Sequence, residues 1–225
     1  MTPLIEQADL DCSAIQKAAE DLRFLLDRNY PRDASLELVG NRYNLERGQR
    51  SLLKRAIFGA EEARRRKGKL VSFHQLAGED IAVDAYNTLI TIESGLLDRR
   101  LVMGDDGAVR DIAEISSGYR ASEATSKAIK LMTETLAEAK AGEITVVFLS
   151  SMSKSSELAA DLRKVLEKSG VRGSCRVESA VERKLPLIAE IVATANSAIM
   201  EKSQKVFDLA GYIVRKKLKK PAPTL

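Results

Sequence analysis

At 225 residues, with 44% apolar and 30% charged residues, the chain has a globular composition that allows a moderate domain plus a small second one. No apolar run approaches the roughly 20 residues of a membrane span, and the start MTPLIEQADLD is too acidic for a signal peptide. His74 is the only histidine, which excludes most zinc sites. Cys12 and Cys175 lack metal-ligand spacing and read as free thiols of a cytoplasmic protein. The net charge of +4 is unevenly placed: residues 17–69 carry 14 Lys and Arg against 8 Asp and Glu, and the tail from Arg215 to Lys220 is basic. That is the footprint of a phosphate-backbone partner, although a solvated face and a solubilising tail would look the same.

Residues 1–68 read as a basic all-helical module resembling a helix-turn-helix bundle. Ile15, Ala18, Ala19, Leu22, Leu25 and Leu26 predict a helix from Ser13 to Arg28, ended by Asn29-Tyr30-Pro31. Pro31 opens a second helix that stops at Gly40-Asn41. A third turns Leu52, Leu53, Ala56 and Ile57 inward. Its polar side offers Arg47, Arg50, Lys54 and Arg55, which with Arg42, Arg64, Arg65 and Arg66 make the expected nucleic-acid face. Glu61 to Gly68 reads as a helix end running into a linker, the domain boundary.

Residues 69–214 alternate strand and helix, which predicts an α/β domain with a mostly parallel sheet covered on both faces. The expected order is strand 69–73, strand 80–86, helix 87–98, strand 100–104, helix 122–140 and strand 143–150. Helix 154–169, strand 174–178, strand 188–194, helix 197–203 and strand 206–214 follow, and residues 215–225 read as a basic disordered tail. Helix 154–169 has the clearest apolar face, through Leu158, Ala159, Leu162, Val165 and Leu166, with Gly170 at its end.

Four apolar runs each end in polar residues: Asp84 and Asn87; Asp105 and Asp106; Ser150 and Ser151; Thr194 and Asn196. Ligands of open α/β sheets bind outside strand carboxyl ends, so one acidic, serine-rich site is expected there. Asp84 inside an apolar run points to function, or to a helix cap. Asp105-Asp106-Gly107 has turn chemistry, and Asp111 has Arg110 and Arg120 within reach as ion-pair partners. Ser153, Lys154 and Ser155 either receive a phosphate at the start of helix 154–169 or merely cap it.

The run VDAYNTLITIESGLL resembles the opening of PIN-like and NYN-type nuclease domains, and VATANSAIM occupies the place of their late-strand Thr-x-Asp element. With LRFLLDRNYPRDASLELVGNRYNL, DDGAVRDI, SKSSELA and KVFDLAG in order, nearly the whole chain resembles an archaeal two-domain family whose second domain is PIN-like. The resemblance implies a Rossmann-like sheet, clustered acids, Mg²⁺ or Mn²⁺, and RNA as substrate. Asp84, Asp105, Asp106 and Asn196 would then be catalytic, and Asp84, Glu93, Asp105, Asp106 and Asp111 would hold metal. Glu93 lies about 9 Å along its helix from the strand end. Asn196 stands where the family pattern has Asp, and Ser150 near another such place, which removes charge from a cation site.

Two functional readings remain, a metal-dependent endoribonuclease and a non-catalytic RNA-binding relative with a degenerate site. Neither involves a membrane, and a homo-oligomer is compatible with both. Asp84-Ala85-Tyr86-Asn87-Thr88 also resembles the nucleophile motif of haloacid-dehalogenase-type phosphatases, but Tyr86 replaces the general acid and the acidic pair comes too early.

Overall fold

The computed structural model describes residues 13–112 and 119–225. In chain order it forms α1 (Ser13–Leu26), α2 (Arg32–Arg42), α3 (Arg47–Ala56), α4 (Ala60–Lys67), β1 (Ile81–Asp84) and α5 (Ala85–Leu96). Next come β2 (Leu101–Met103), β3 (Val109–Asp111), α6 (Glu123–Glu138), β4 (Ile144–Leu149), α7 (Ser155–Lys168) and β5 (Gly173–Glu178). The chain continues through α8 (Val181–Lys184), β6 (Ile191–Ala193), α9 (Ser197–Lys202), β7 (Lys205–Phe207) and α10 (Leu209–Tyr212). No described helix is long and apolar enough to cross a membrane. Two units result: a helical one from Met1–Gly68, Arg100–Glu114 and Ala222–Leu225, and an α/β one from Lys69–Arg99 and Ile115–Pro221.

In the helical unit, Ile15, Ala18, Ala19 and Leu22 recur at helical spacing and are buried along α1. Asn29, at φ 61°, takes the left-handed conformation that ends this helix. Leu52, Leu53 and Ile57 of the α3 region close the same core, each fully out of water and contributing roughly 1.5–3 kcal/mol. Val102 and Ile112 complete it. They arrive on a hairpin, because β2 pairs antiparallel with β3, Leu101 opposite Asp111 and Met103 opposite Val109. The expectation that residues 100–104 form a strand of the parallel sheet is therefore corrected. Gly104-Asp105-Asp106-Gly107 reverses the chain, with Gly107 at φ 83°, so the next apolar residues return beside the first.

In the α/β unit, five strands run parallel in the order β5-β4-β1-β6-β7. The central strand β1 is buried on both faces, which explains its unbroken apolar character. Leu89 and Ile92 of α5, Met132 and Leu136 of α6, and Leu162 of α7 pack one face with Val83, Val146 and Phe148. Val181, Leu185 and Ile199 cover Ala82, Val147 and Val192 on the other. The order places β4 and β5 on one side of β1 and the later β6 and β7 on the other. The topological switch point falls between β1 and β6.

Three further expectations are corrected. Instead of strand 69–73 there is one bridge, Leu70 to Val206. The strand expected over 206–214 ends at Phe207, because the Asp208 carboxylate accepts the Gly211 N–H at 2.9 Å and starts α10. A Cβ on Gly211 would sit 1.9 Å from that carboxylate, so a larger residue there would displace the cap. The tail expected to be disordered is placed: Lys217 and Lys220 pair with Glu138 and Asp98. Farther along, the Pro223 carbonyl accepts the Met103 N–H at 2.9 Å, and the Leu225 carbonyl accepts Arg23 at 2.8 Å.

Candidate functional site

Asp84 closes β1, and Thr194 follows the neighbouring β6, so parallel pairing brings the two together at the switch point. The Thr194 hydroxyl donates to Asp84 Oδ2 at 3.0 Å, and its oxygen accepts the Asn196 N–H at 3.0 Å. Asn87, in the first turn of α5, accepts the Ala195 N–H on Oδ1 at 2.7 Å. The start of α5 and the segment leaving β6 are thereby tied to each other through side chains at the carboxyl edge of the sheet. Asp84 is only 8% exposed. Burial pushes its carboxyl up to about 6 from the usual 3.8, the Thr194 hydroxyl and the Asn87 backbone N–H opposing, and the Glu182 carboxylate adding to the rise.

Glu182 is the residue that sequence reasoning missed. Within Val-Glu-Arg-Lys it reads as one more charge on a solvated helix, and only the folded crossover before β6 puts its field on Asp84. Asn196 does lie at the same sheet edge as Asp84, but its Oδ1 accepts the Ala198 and Ile199 N–H groups at 2.9 and 3.4 Å. Its side chain is the cap of α9.

The acids expected to share a metal divide between the two units, and each has a partner of its own. Glu93 is buried inside the α/β unit, where the Tyr119 hydroxyl donates to Oε1 at 2.5 Å. Burial and that carboxylate together push the Tyr119 phenol upward. Asp105, Asp106 and Asp111 belong to the helical unit, each held by arginine. Arg23 grips Asp105 at 2.9 and 2.7 Å, and the Phe58 N–H adds a bond at 3.0 Å. Asp106, fully buried, binds both Arg110 amino groups at 2.7 Å and Arg66 at 3.4 Å. Asp111 meets Arg55 at 3.2 Å. Among the described residues, no three His, Cys, Asp or Glu side chains are grouped to hold a metal ion.

The expected nucleic-acid face divides into cations tied into the fold, cations in surface ion pairs and exposed ones. Arg66 is 3% exposed and lies over the Phe58 ring at 4.6 Å, so it is corrected from a surface cation to a buried one. Arg50 binds the Leu45 carbonyl at 2.8 Å and Asn41 at 3.0 Å. Arg42, Lys54 and Arg65 stand 3.5, 3.9 and 3.8 Å from Asp21, Asp33 and Glu61. Arg47 and Arg64 are exposed. In the serine-rich loop Ser153 and Lys154 are exposed, and Lys154, left-handed at φ 62°, lies 3.4 Å from Glu157. Ser155 is buried, its hydroxyl 2.7, 2.6 and 3.0 Å from the Leu149 and Met152 carbonyls and the Tyr86 hydroxyl. It anchors the loop and is closed to a phosphate.

Residues 14–69 match the family described as Protein of unknown function (DUF434), and residues 73–212 match Domain of unknown function (DUF5616). The second match covers more than half of the chain. The chain belongs to the DUF5616 family. The DUF5616 segment contains Asp84, Glu182, Thr194 and Asn196, and also the hairpin that folds with the helical unit. Uncharacterized protein MJ0935 of Methanocaldococcus jannaschii is 30% identical over 194 residues, which is 86% of this chain and 91% of that protein. The pairing of a DUF434 segment with a DUF5616 domain is thus an uncharacterised two-domain arrangement with an archaeal relative. No solved structure matches the chain.

Proposed function

We propose that this is an RNA-binding protein whose α/β unit is PIN-like and holds a divalent cation, Mg²⁺ or Mn²⁺, at Asp84, with Glu182 contributing charge. The observation that carries the reading is a buried carboxylate at the β1/β6 switch point, held by the Thr194 hydroxyl and pushed up to about 6 chiefly by burial. A carboxylate kept at a strand end despite the cost of burying its charge, a cost to which Glu182 adds, is a group that a cation would stabilise. Their hard oxygen donors suit a small divalent ion. Such an ion would supply charge stabilisation to a phosphodiester undergoing cleavage. Thr194 fixes the rotation of Asp84, and Asn87 fixes the loop that carries Thr194. The strand order and the Asp84 position both support the PIN-like reading.

The non-catalytic reading is favoured by Asn196, whose side-chain oxygen is committed to helix amides and adds no charge. Calorimetric titration with Mn²⁺ separates the two. Binding that is lost in Asp84→Asn and weakened in Glu182→Gln supports the metal site. Heat unchanged by either substitution, or no binding at millimolar metal, leaves the non-catalytic RNA-binding protein as the function.

A further inference from the structure

The cations of α4 divide into two kinds. Arg65 and Arg66 turn back to Glu61 and Glu62, one turn earlier, which completes the helix's own charge pattern. Arg64 and Lys67 do not take part. Both are exposed, and among the described residues neither side chain has a hydrogen-bond or ion-pair partner. They fall on one stripe of the helix with Ala60 and Ala63, at positions i, i+3, i+4 and i+7. This stripe lines a groove of about 460 Å³ that ends at Gly68 and has Asp105 as a wall. Ala60, Ala63 and Gly68 keep the floor low. Both Asp105 oxygens are already bound by Arg23, one of them also by the Phe58 N–H, so that wall carries a compensated charge.

We infer that this groove is the track for the phosphodiester backbone of single-stranded RNA, with Arg64 and Lys67 each taking a phosphate. The inference rests on the RNA-binding reading above and narrows it from a broad basic face to one helix stripe. Phosphates need donors that are free, whereas Arg50, Arg55 and Arg66 are tied into the fold and Arg42, Lys54 and Arg65 each face a carboxylate at the surface. Small residues beside the two cations let a backbone approach closely, which a row of long side chains would prevent. Lys67 was outside the expected face, because the run Arg64-Arg65-Arg66-Lys67 gives no sign of which cations fold inward.

The test is fluorescence anisotropy of the full chain with a labelled oligouridylate over a range of salt. Each phosphate neutralised on a single strand contributes about 0.7 to the slope of log affinity against log salt. Arg64→Ala/Lys67→Ala should therefore flatten the slope by about 1.4 and weaken binding at low salt by roughly tenfold or more. Arg42→Ala/Lys54→Ala should change neither. Ala60→Glu, on the groove floor but in the first helical turn where an acid suits the helix, should weaken binding with an unchanged melting temperature. If the wild type binds and the Arg64/Lys67 variant keeps its slope and affinity, the groove is not the track, while the RNA reading stands. If the wild type binds no RNA at low salt, the RNA reading falls and this inference with it.

Discussion

Replacing Asp84 by Asn should make the protein more stable at neutral pH, and the size of the gain follows from the site. In the fold the Asp84 carboxyl titrates at about 6, against 3.8 when unperturbed, chiefly because burial penalises its charge. At about 1.4 kcal/mol per unit, the rise of roughly two units corresponds to about 3 kcal/mol. The group is raised, so the sign is opposite to that of a salt-bridged acid. Below pH 3.8 it is protonated in both states and contributes nothing. Between 3.8 and 6 the unfolded chain gives up the proton while the fold keeps it, so stability falls as pH rises. Above 6 the full penalty is present. The amide introduced by Asp84→Asn would be neutral throughout and would still accept the Thr194 hydroxyl on its oxygen. Urea unfolding of both proteins at several pH values from about 4 to 7.5 should show the variant ahead by about 2–3 kcal/mol at pH 7, the gap closing toward pH 4. Mn²⁺ should narrow the gap at pH 7 by stabilising only the wild type. A variant less stable than the wild type at pH 7, or a gap independent of pH, would refute the reasoning.

Asp106→Asn should behave in the opposite way, because it leaves Arg110 and Arg66 buried at 5% and 3% exposure without their counter-charge. A loss of about 3–5 kcal/mol is expected, read as a lower urea midpoint together with faster hydrogen exchange in α3 and α4. Residues 14–69 expressed alone lack Val102, Ile112 and Asp106, and their circular dichroism should show little helix at 25 °C; a cooperative melting transition would contradict this. Cys175 is 7% exposed with its thiol pushed up to about 11 by burial, so iodoacetamide at pH 8 should label it slowly in the native protein and rapidly in urea, followed by mass spectrometry.

The central strand, the helix beginning beside Asp84 and the helix 155–168 stripe were legible because each has a local signature: an unbroken apolar run, a polar strand end, or a 3.6-residue period. The hairpin was not. Leu101-Val102-Met103 is as apolar as a parallel strand, and nothing local says that Val102 packs among Ile15, Leu52 and their neighbours. The same limit misplaced the acids of that hairpin. Asp-Asp-Gly announced a turn, but partners such as Arg23, 82 positions away, have no local signature. Val206 to Val214 looked like a strand through its β-branched residues, and the Asp208 side chain overrode that preference by capping a helix instead. At the candidate site, Asp84, Asn87 and Thr194 were visible as strand ends, whereas Glu182 became a neighbour only through the crossover that the fold builds.

The insertion of the β2–β3 hairpin into the helical unit also sets a timetable for biosynthesis. When α4 has been made, Arg66 still lacks Asp106, and the core around Leu52 still lacks Val102 and Ile112. Translation must continue through residue 112 before these arrive, a wait of roughly 2 to 9 s at ordinary elongation rates. During that interval the nascent helices present cations that the finished protein hides. The strand and helix that carry Asp84 are synthesised inside this same window, so the hairpin of the first unit and the first pieces of the second emerge together, while Ala222–Leu225 join the first unit last of all.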